Sequence, residues 1–481
     1  MKKDNLLKAI IISFIAFIIL SWIIPTGYYQ NGEFSNMGTL PIGLIDIIKY
    51  PVITFTSSVF LLTAIVILLI GGLYGVLNKT GVYSKIVEGL TAKFKGKKTF
   101  LVISILLFSI LASLTGLTLP LLVLVPFFVA VIISLGYSNI TALLSTVGAI
   151  LVGNMSSTYG FNINGYISYF FANNINDSIL YRVILFVILV GLYIFFITKT
   201  SKIVEVSKKK TSKKADKEEK EETKKDVVIP LYEKNIDKKK SATPLVVLGI
   251  ITTILIFVGM YDWYDGLGVE VFTNIHTAIT EFELNGYPIF KNIIGSIDPI
   301  GYWTNYDLSL ILIVFTLIIA WIYGIKGKEL KNAYIDGMKK MLPVAVYAIV
   351  ANLIFLLMNS NSYTIYSTIA NFLFGLTDKF NIITTSLVAF VGGLLYNDFP
   401  YMLNAIYGQI SSLYADNISV IGVIMQSIHG LVMLIAPTSV ILVAGLKYLN
   451  ISYTEWFKNV WKYLLMALVV MIIIVVVMTL V

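Results

Sequence analysis

Cysteine is absent from the 481-residue chain, and histidine is represented only by His276 and His429. Disulfides, thiolate metal centres and cysteine nucleophiles are therefore excluded, and a histidine-built metal centre lacks ligands. Charge is scarce too: Asp, Glu, Lys and Arg make up 13% of residues, against about 25% in soluble proteins. Much of that charge is confined to residues 201–240, which hold 14 lysines and 9 acids, whereas 99–176 and 341–377 contain no Asp, Glu, Lys, Arg or His. There is no Gly-x-x-x-x-Gly-Lys-Ser/Thr phosphate loop to drive a primary pump. A membrane-embedded enzyme finds neither a His-x-x-x-His pair nor a Gly-x-Ser-x-Gly elbow. The net charge of +9 lies mainly between apolar runs, so it reads as an orientation signal and implies no nucleic-acid partner.

What the chain does have is hydrophobic length. About 20 apolar residues cross the roughly 30 Å core of a bilayer, and such stretches occur near 6–24, 52–77, 99–135, 140–172, 181–199, 243–260, 306–324, 341–358, 380–415, 418–446 and 461–481. The expected fold is an all-α polytopic membrane protein. Met1-Lys2-Lys3 before the run from Leu6 to Pro25 resembles a signal peptide, but no small-residue cleavage site follows, so this run is expected to be a retained first helix. Lysines at 79, 85, 93, 95, 97 and 98, at 326, 328, 331, 339 and 340, and throughout 201–240 mark cytoplasmic loops. The N-terminus is then cytoplasmic, in a bacterial-type cytoplasmic membrane. The opposite loops carry few basic residues: Lys49, Arg182, Lys291 and Lys379. This alternation requires 99–135 and 380–415 each to enter and return on one side as re-entrant hairpins. Inverted-topology repeats follow: residues 1–200 and 243–481 as the halves, and 201–242 as a charged, solvated cytoplasmic linker. Segment 261–305, with Trp263 and Trp303, is expected to be an aromatic interfacial cap.

Local sequence repeats the symmetry. Ser113-Leu114-Thr115-Gly116-Leu117-Thr118-Leu119-Pro120 interrupts the first hairpin, and Gly392-Gly393-Leu394-Leu395-Tyr396-Asn397-Asp398-Phe399-Pro400 the second. Each ends in proline, which suits the first turn of a new helix. Downstream, Gly153-Asn154-Met155-Ser156-Ser157-Thr158 and Ala436-Pro437-Thr438-Ser439 break the helices 140–172 and 418–446. Backbone groups freed in a bilayer cost several kcal/mol each, so four such breaks imply a polar user. Half-helix N-termini favour a carboxylate and unwound carbonyls favour Na⁺; such a site binds a carboxylate without a buried arginine. The candidate binding residues are Thr115, Thr118, Asn154, Ser156, Ser157, Thr158, Asn397, Asp398, Pro437, Thr438 and Ser439, with a Na⁺ position near Asn154, Ser156, Thr438 and Ser439. Asp398 is an intramembrane acid and a functional candidate by default, suited to an ammonium, Na⁺ or a transported proton. No cofactor is expected beyond a coupling Na⁺ or H⁺.

The chain resembles the YfcC-like and C4-dicarboxylate anaerobic carrier (DcuC-type) families of the ion transporter superfamily. The resemblance rests on Ile70-Gly71-Gly72-Leu73-Tyr74-Gly75-Val76-Leu77-Asn78-Lys79-Thr80-Gly81, on Ile435-Ala436-Pro437-Thr438-Ser439 followed by Tyr453-Thr454-Glu455-Trp456, and on Ile23-Ile24-Pro25-Thr26-Gly27-Tyr28-Tyr29. It implies a secondary transporter of amino acids or dicarboxylates, a homodimer, and an elevator-type motion carrying the hairpins and broken helices. The family's paired site motifs map onto Asn154, Ser156, Ser157 and Thr158 and onto Pro437, Thr438 and Ser439. Ala436 stands where asparagine is common, and Leu119-Pro120-Leu121-Leu122 lacks the acids expected after the first hairpin tip.

Plainer readings compete. Small and hydroxylated residues also let membrane helices approach closely, which suits Gly71-Gly72, Gly392-Gly393 and isolated serines or threonines. Asp398 also fits a solvated loop, and His429 a packed, hydrogen-bonded position. The function expected is secondary active transport of a small carboxylate-bearing solute across the lipid bilayer. An amino acid is preferred because an acid with no basic partner repels a second carboxylate; a C4-dicarboxylate carrier is the alternative, and a channel the competing class.

Overall fold

The computed structural model describes residues 5–203, 229–295, 297–359 and 363–480. Helix α1 (Asn5–Ile23) leads into an antiparallel hairpin of β1 (Thr26–Gln30) and β2 (Glu33–Gly38). Its turn is Asn31-Gly32, both at positive φ, the pair that a two-residue hairpin favours. Helices α2 (Leu44–Thr56), α3 (Ser58–Thr80) and α4 (Val82–Phe94) follow, then α5 (Thr99–Thr115) and α6 (Leu119–Ser134). Next come α7 (Asn139–Leu143), a π-turn, α8 (Ala149–Met155), a second π-turn at Phe161–Gly165, α9 (Tyr166–Phe171) and α10 (Ile179–Thr200).

The rest of the chain opens with α11 (Thr243–Met260). Segment 261–305 contains α12 (Tyr264–Leu267), α13 (Val271–Thr280), a small hairpin of β3 (Glu283–Leu284) with β4 (Tyr287–Pro288), and α14 (Ile289–Ile294). Then follow α15 (Asn305–Ile322), α16 (Gly327–Val350), α17 (Leu353–Asn359), α18 (Ile365–Phe374), α19 (Ile382–Leu395), α20 (Phe399–Asn404), α21 (Tyr407–Leu413), α22 (Ile418–Met433), α23 (Val440–Tyr448) and α24 (Tyr453–Leu480).

Among the described residues, eight helical stretches are long and apolar enough to span a membrane: α1, α3, α10, α11, α15, α16 with α17, α22 with the turn before it, and α24. Their burial is unequal. α1, α10, α11, α15 and α24 expose apolar residues such as Ile12, Val187, Ile250, Leu310 and Ile473, as a lipid-facing perimeter should. α6, α8, α22 and α23 are apolar and almost wholly buried. A helix hydrophobic all round belongs inside, so the interrupted helices occupy the centre. α3 and α16 cross where Gly71, Gly75 and Gly337 meet backbone to backbone, the small-residue contact expected of membrane helices.

The linker differs from its expected form. Its stretch 204–228 lies outside the described residues, but residues 229–242 are docked. Asn78 donates to the Leu231 carbonyl (3.1 Å) and accepts from the Glu233 N–H (3.1 Å), and Ser84 donates to the Glu233 carbonyl (2.8 Å) and accepts from the Asn235 N–H (3.0 Å). Tyr448 donates to the Pro230 carbonyl at 2.9 Å. Leu231 is buried. The charges face water while the main chain is captured, so this end is a strap and not a solvated tether.

Candidate functional site

Each interruption expected from sequence is present. α5 ends at Gly116, which has φ +70°, and α6 begins with Pro120 in its first turn. Thr115 donates to the Leu111 carbonyl (2.6 Å) and accepts from the Leu117 N–H (3.2 Å), so its hydroxyl closes its own helix. Thr118 occupies the N-cap position of α6 without a side-chain cap bond.

The first broken helix unwinds at Ser156–Gly160, and here the expectation of free dipoles fails. The Ser113 carbonyl, from the end of α5, accepts from the N–H groups of Thr158 (3.0 Å), Tyr159 (3.3 Å) and Gly160 (3.2 Å). Ser113 also donates its hydroxyl to the Ser156 carbonyl at 2.8 Å. The carbonyls of the turn are capped as well. Asn164 donates to those of Ser157 and Thr158 at 3.1 Å each, Gln426 to Ser157 at 2.7 Å, and Arg182 to Thr158 at 2.7 Å. Ser156 turns its hydroxyl back to the Val152 carbonyl (2.9 Å), and Ser157 turns its hydroxyl to the Ser113 carbonyl (3.2 Å). Unsatisfied dipoles in an apolar interior are costly, and the fold has supplied them with partners. A buried arginine is part of that supply, contrary to expectation.

The second broken helix is capped in a parallel way. Trp456 donates its indole N–H to the Leu434 carbonyl at 2.7 Å, Tyr453 its hydroxyl to the Ile435 carbonyl, and Asn397 its amide to the Thr438 carbonyl at 3.2 Å. Asn397 also donates to Asn352 Oδ1 at 2.8 Å. Asn352 is buried at a further break, between α16 and α17. Asp398 is half-buried at the N-cap of α20, with its carboxylate 3.5 Å from the Tyr401 N–H. Pro437 is half-buried in the unwound segment, and Ser439 is buried at the N-cap of α23 without a side-chain cap bond. His429 is packed, as expected, with Nε2 3.1 Å from the Tyr396 carbonyl.

The two sets of broken elements pack together. α22 crosses α8 so closely that a Cβ on Gly430 would lie 2.4 Å from Met155 Cα. α20 packs on the 161–171 segment, and Gly116 lies against Gly160 and Asn162. Two of the sequence-predicted residues keep a buried polar atom without a partner, Asn154 Oδ1 and Thr438 Oγ1. Gln426 Oε1 is buried and unpartnered as well. Among the described residues no three His, Asp or Glu side chains gather as metal ligands.

Residues 4–480 match the model of the C4-dicarboxylate anaerobic carrier family, DcuC. The chain belongs to the DcuC family. As a DcuC-family protein it is a multi-pass membrane transporter and not an enzyme. No curated protein matches the sequence. The YdaH transporter of Alcanivorax borkumensis is a structural match at 12% identity and TM-score 0.37, covering 98% of this chain and 97% of that one.

For this DcuC-family chain, sequence reasoning missed Ser113, Asn164, Arg182, Asn352 and Gln426. Asn164 stands among many asparagines between 154 and 176, and Gln426 and Asn352 sit inside apolar runs with no local motif. Tyr453 and Trp456 fell within a quoted family motif, and their role as caps emerges only in three dimensions.

Proposed function

We propose that the chain is a secondary active carrier of C4-dicarboxylates, working by alternating access in a cytoplasmic membrane with its N-terminus inside. The family match along nearly the whole chain carries this reading. The amino acid preferred on sequence grounds gives way to the dicarboxylate. That preference rested on Asp398 having no basic counterpart, and Arg182 is a buried cation beside the first break.

Each half presents one tip bonded to one broken helix, Ser113 to Ser156 and Thr158, and Asn397 to Thr438. This pairing supports inverted repeats, with 99–135 and 380–415 as re-entrant hairpins. Asn154 Oδ1 and Thr438 Oγ1, buried without partners, are the groups best placed to receive a solute or a coupling cation. Ser156, Ser157 and Thr158 shape the first break, and Asp398, Pro437 and Ser439 the second. Movement of these elements against the α3–α16 seam is an elevator-type cycle, and a homodimer is the assembly that the family resemblance implies.

Purified protein in liposomes tests the proposal with labelled succinate, fumarate, malate, aspartate and glutamate, with and without a Na⁺ gradient. Saturable dicarboxylate uptake with counterflow is expected. Non-saturating flux without counterflow would refute a carrier, and preferential uptake of glutamate would refute the substrate class. Asp398→Asn should abolish gradient-driven uptake while sparing exchange; unchanged uptake removes Asp398 from coupling.

A further inference from the structure

The chain contains 36 basic residues, of which 35 are lysines and one is Arg182. That single arginine is 3% exposed. Among the described residues no carboxylate lies within ion-pair distance of it. Its guanidinium donates instead to three main-chain carbonyls: Thr158 at 2.7 Å, Asp177 at 2.9 Å, and Ile175. Its Nε is buried with no partner, as is Asn173 Oδ1, and both residues line a small cavity with Asn164, Asp177, Ser419 and Gly422, where the exposed Asp177 carboxylate accepts from the Asn174 N–H at 3.2 Å.

A planar fork explains why arginine and not lysine stands here. Three carbonyls approach from a loop and from an unwound turn, and guanidinium donors span them in a fixed geometry while keeping the charge. Carbonyl dipoles cover the donors but leave one net positive charge buried. Such a charge is costly when the acid of its own cavity, Asp177, is exposed to water and makes no ion pair with it. The charge lies directly behind the Ser157–Gly160 turn, whose other side-chain donors, Asn164, Gln426 and the Tyr261 hydroxyl, are neutral.

We propose that Arg182 is the charge-selecting residue of the carrier: a positioning residue that acts through the Thr158 carbonyl and sets a fixed positive potential at the first break, favouring a dianionic solute over a monoanion of the same length. This inference rests on the dicarboxylate reading above. It also divides the site by sign. Positive potential and consumed carbonyls at Ser157 and Thr158 leave the second break, with Asp398 and Thr438, as the place for a coupling cation.

The test is competition between succinate and succinamate, one a dianion and the other its monoanionic amide, for uptake of labelled succinate in proteoliposomes. The readout is the ratio of their inhibition constants. R182Q should cut the preference for succinate by on the order of tenfold, and R182K should keep most of it. S419D places a carboxylate on α22 at the same cavity, at an exposed position, and leaves Arg182 untouched. It should lower the ratio as R182Q does while retaining or raising the melting temperature. A purely structural arginine would not produce that combination, and S419D decides the matter if R182Q does not fold. A folded R182Q or S419D with the wild-type ratio overturns the inference, as does a folded R182K that loses the ratio as fully as R182Q. Wild-type protein that does not carry succinate would instead overturn the dicarboxylate reading, and this inference with it.

Discussion

Substituting Gly337 by alanine adds one methyl group where two helix backbones leave no room for it. A Cβ at Gly337 would lie 2.0 Å from the Gly71 carbonyl oxygen, 2.8 Å from its carbon and 3.0 Å from Gly75 Cα. Ordinary contact begins near 3.4 Å, so α3 and α16 must part by about 1.4 Å. Every obstructing atom is backbone, so no side chain can rotate away. Overpacking of this kind costs about 1–3 kcal/mol, and the separation also forfeits the close contacts on which membrane helices rely in place of a hydrophobic drive. Gly89 in α4 is the control: a Cβ there meets nothing within 4 Å, and alanine in an open helix gains about 0.5–1 kcal/mol. Thermal unfolding of the two variants in one detergent should give shifts of opposite sign, G337A falling by several degrees and G89A rising slightly. A G337A protein that melts with the wild type would refute the close crossing.

Asn397→Ala strips the Thr438 carbonyl and Asn352 Oδ1 of a donor, an exposed penalty of about 1–3 kcal/mol; it should raise the KM for uptake, and an unchanged KM would detach Asn397 from the site. Trp456→Phe loses the N–H that holds the Leu434 carbonyl and also part of a fully buried ring system, so the melting temperature should drop by at least the amount matching ~1–3 kcal/mol for the unpaired carbonyl, with a cavity cost added; calorimetry checks this. The strap carries a pH dependence. Lys340, 2.6 Å from Glu233, holds that carboxyl below its ordinary value of 4.5. A depressed acid stabilises the fold above the unfolded value, and the contribution is lost as pH falls below it. Both side chains are about half exposed, so solvent screening limits the effect to about 0–1 kcal/mol. The protection of 229–240 against hydrogen exchange, taken relative to the intrinsic rate at each pH, should fall as the pH is taken below 4.5, and Glu233→Gln should remove that dependence.

The spans and their interruptions were legible because they are local. Gly116 needs the left-handed region at a helix end, Pro120 and Pro400 lie in first turns, and the absence of charge over 99–176 admits no loop in water. What could not be read is where the freed dipoles go. The donors to the Ser157 and Thr158 carbonyls include Gln426, 269 residues from its acceptor, and Arg182, 24 residues away; neither distance leaves a period in the sequence. Arg182 looked like a loop residue because it falls at the start of α10, and its solitude among lysines was the unused signal. The strap was misread for another reason. Its side chains are those of a soluble tether, but Asn78 and Ser84 bind its main chain, a mode of recognition that leaves composition uninformative.

That last feature reaches beyond the strap itself. Asn78 and Ser84 grasp peptide groups, so the hold on the backbone path does not depend on the side chains of Glu233 and Asn235, whereas Leu231 is kept by its burial. What is inherited is an address: the chain leaves the water at α11 from a point moored beside the close of α3, so its later crossings assemble in one phase against the earlier ones and cannot slide along them.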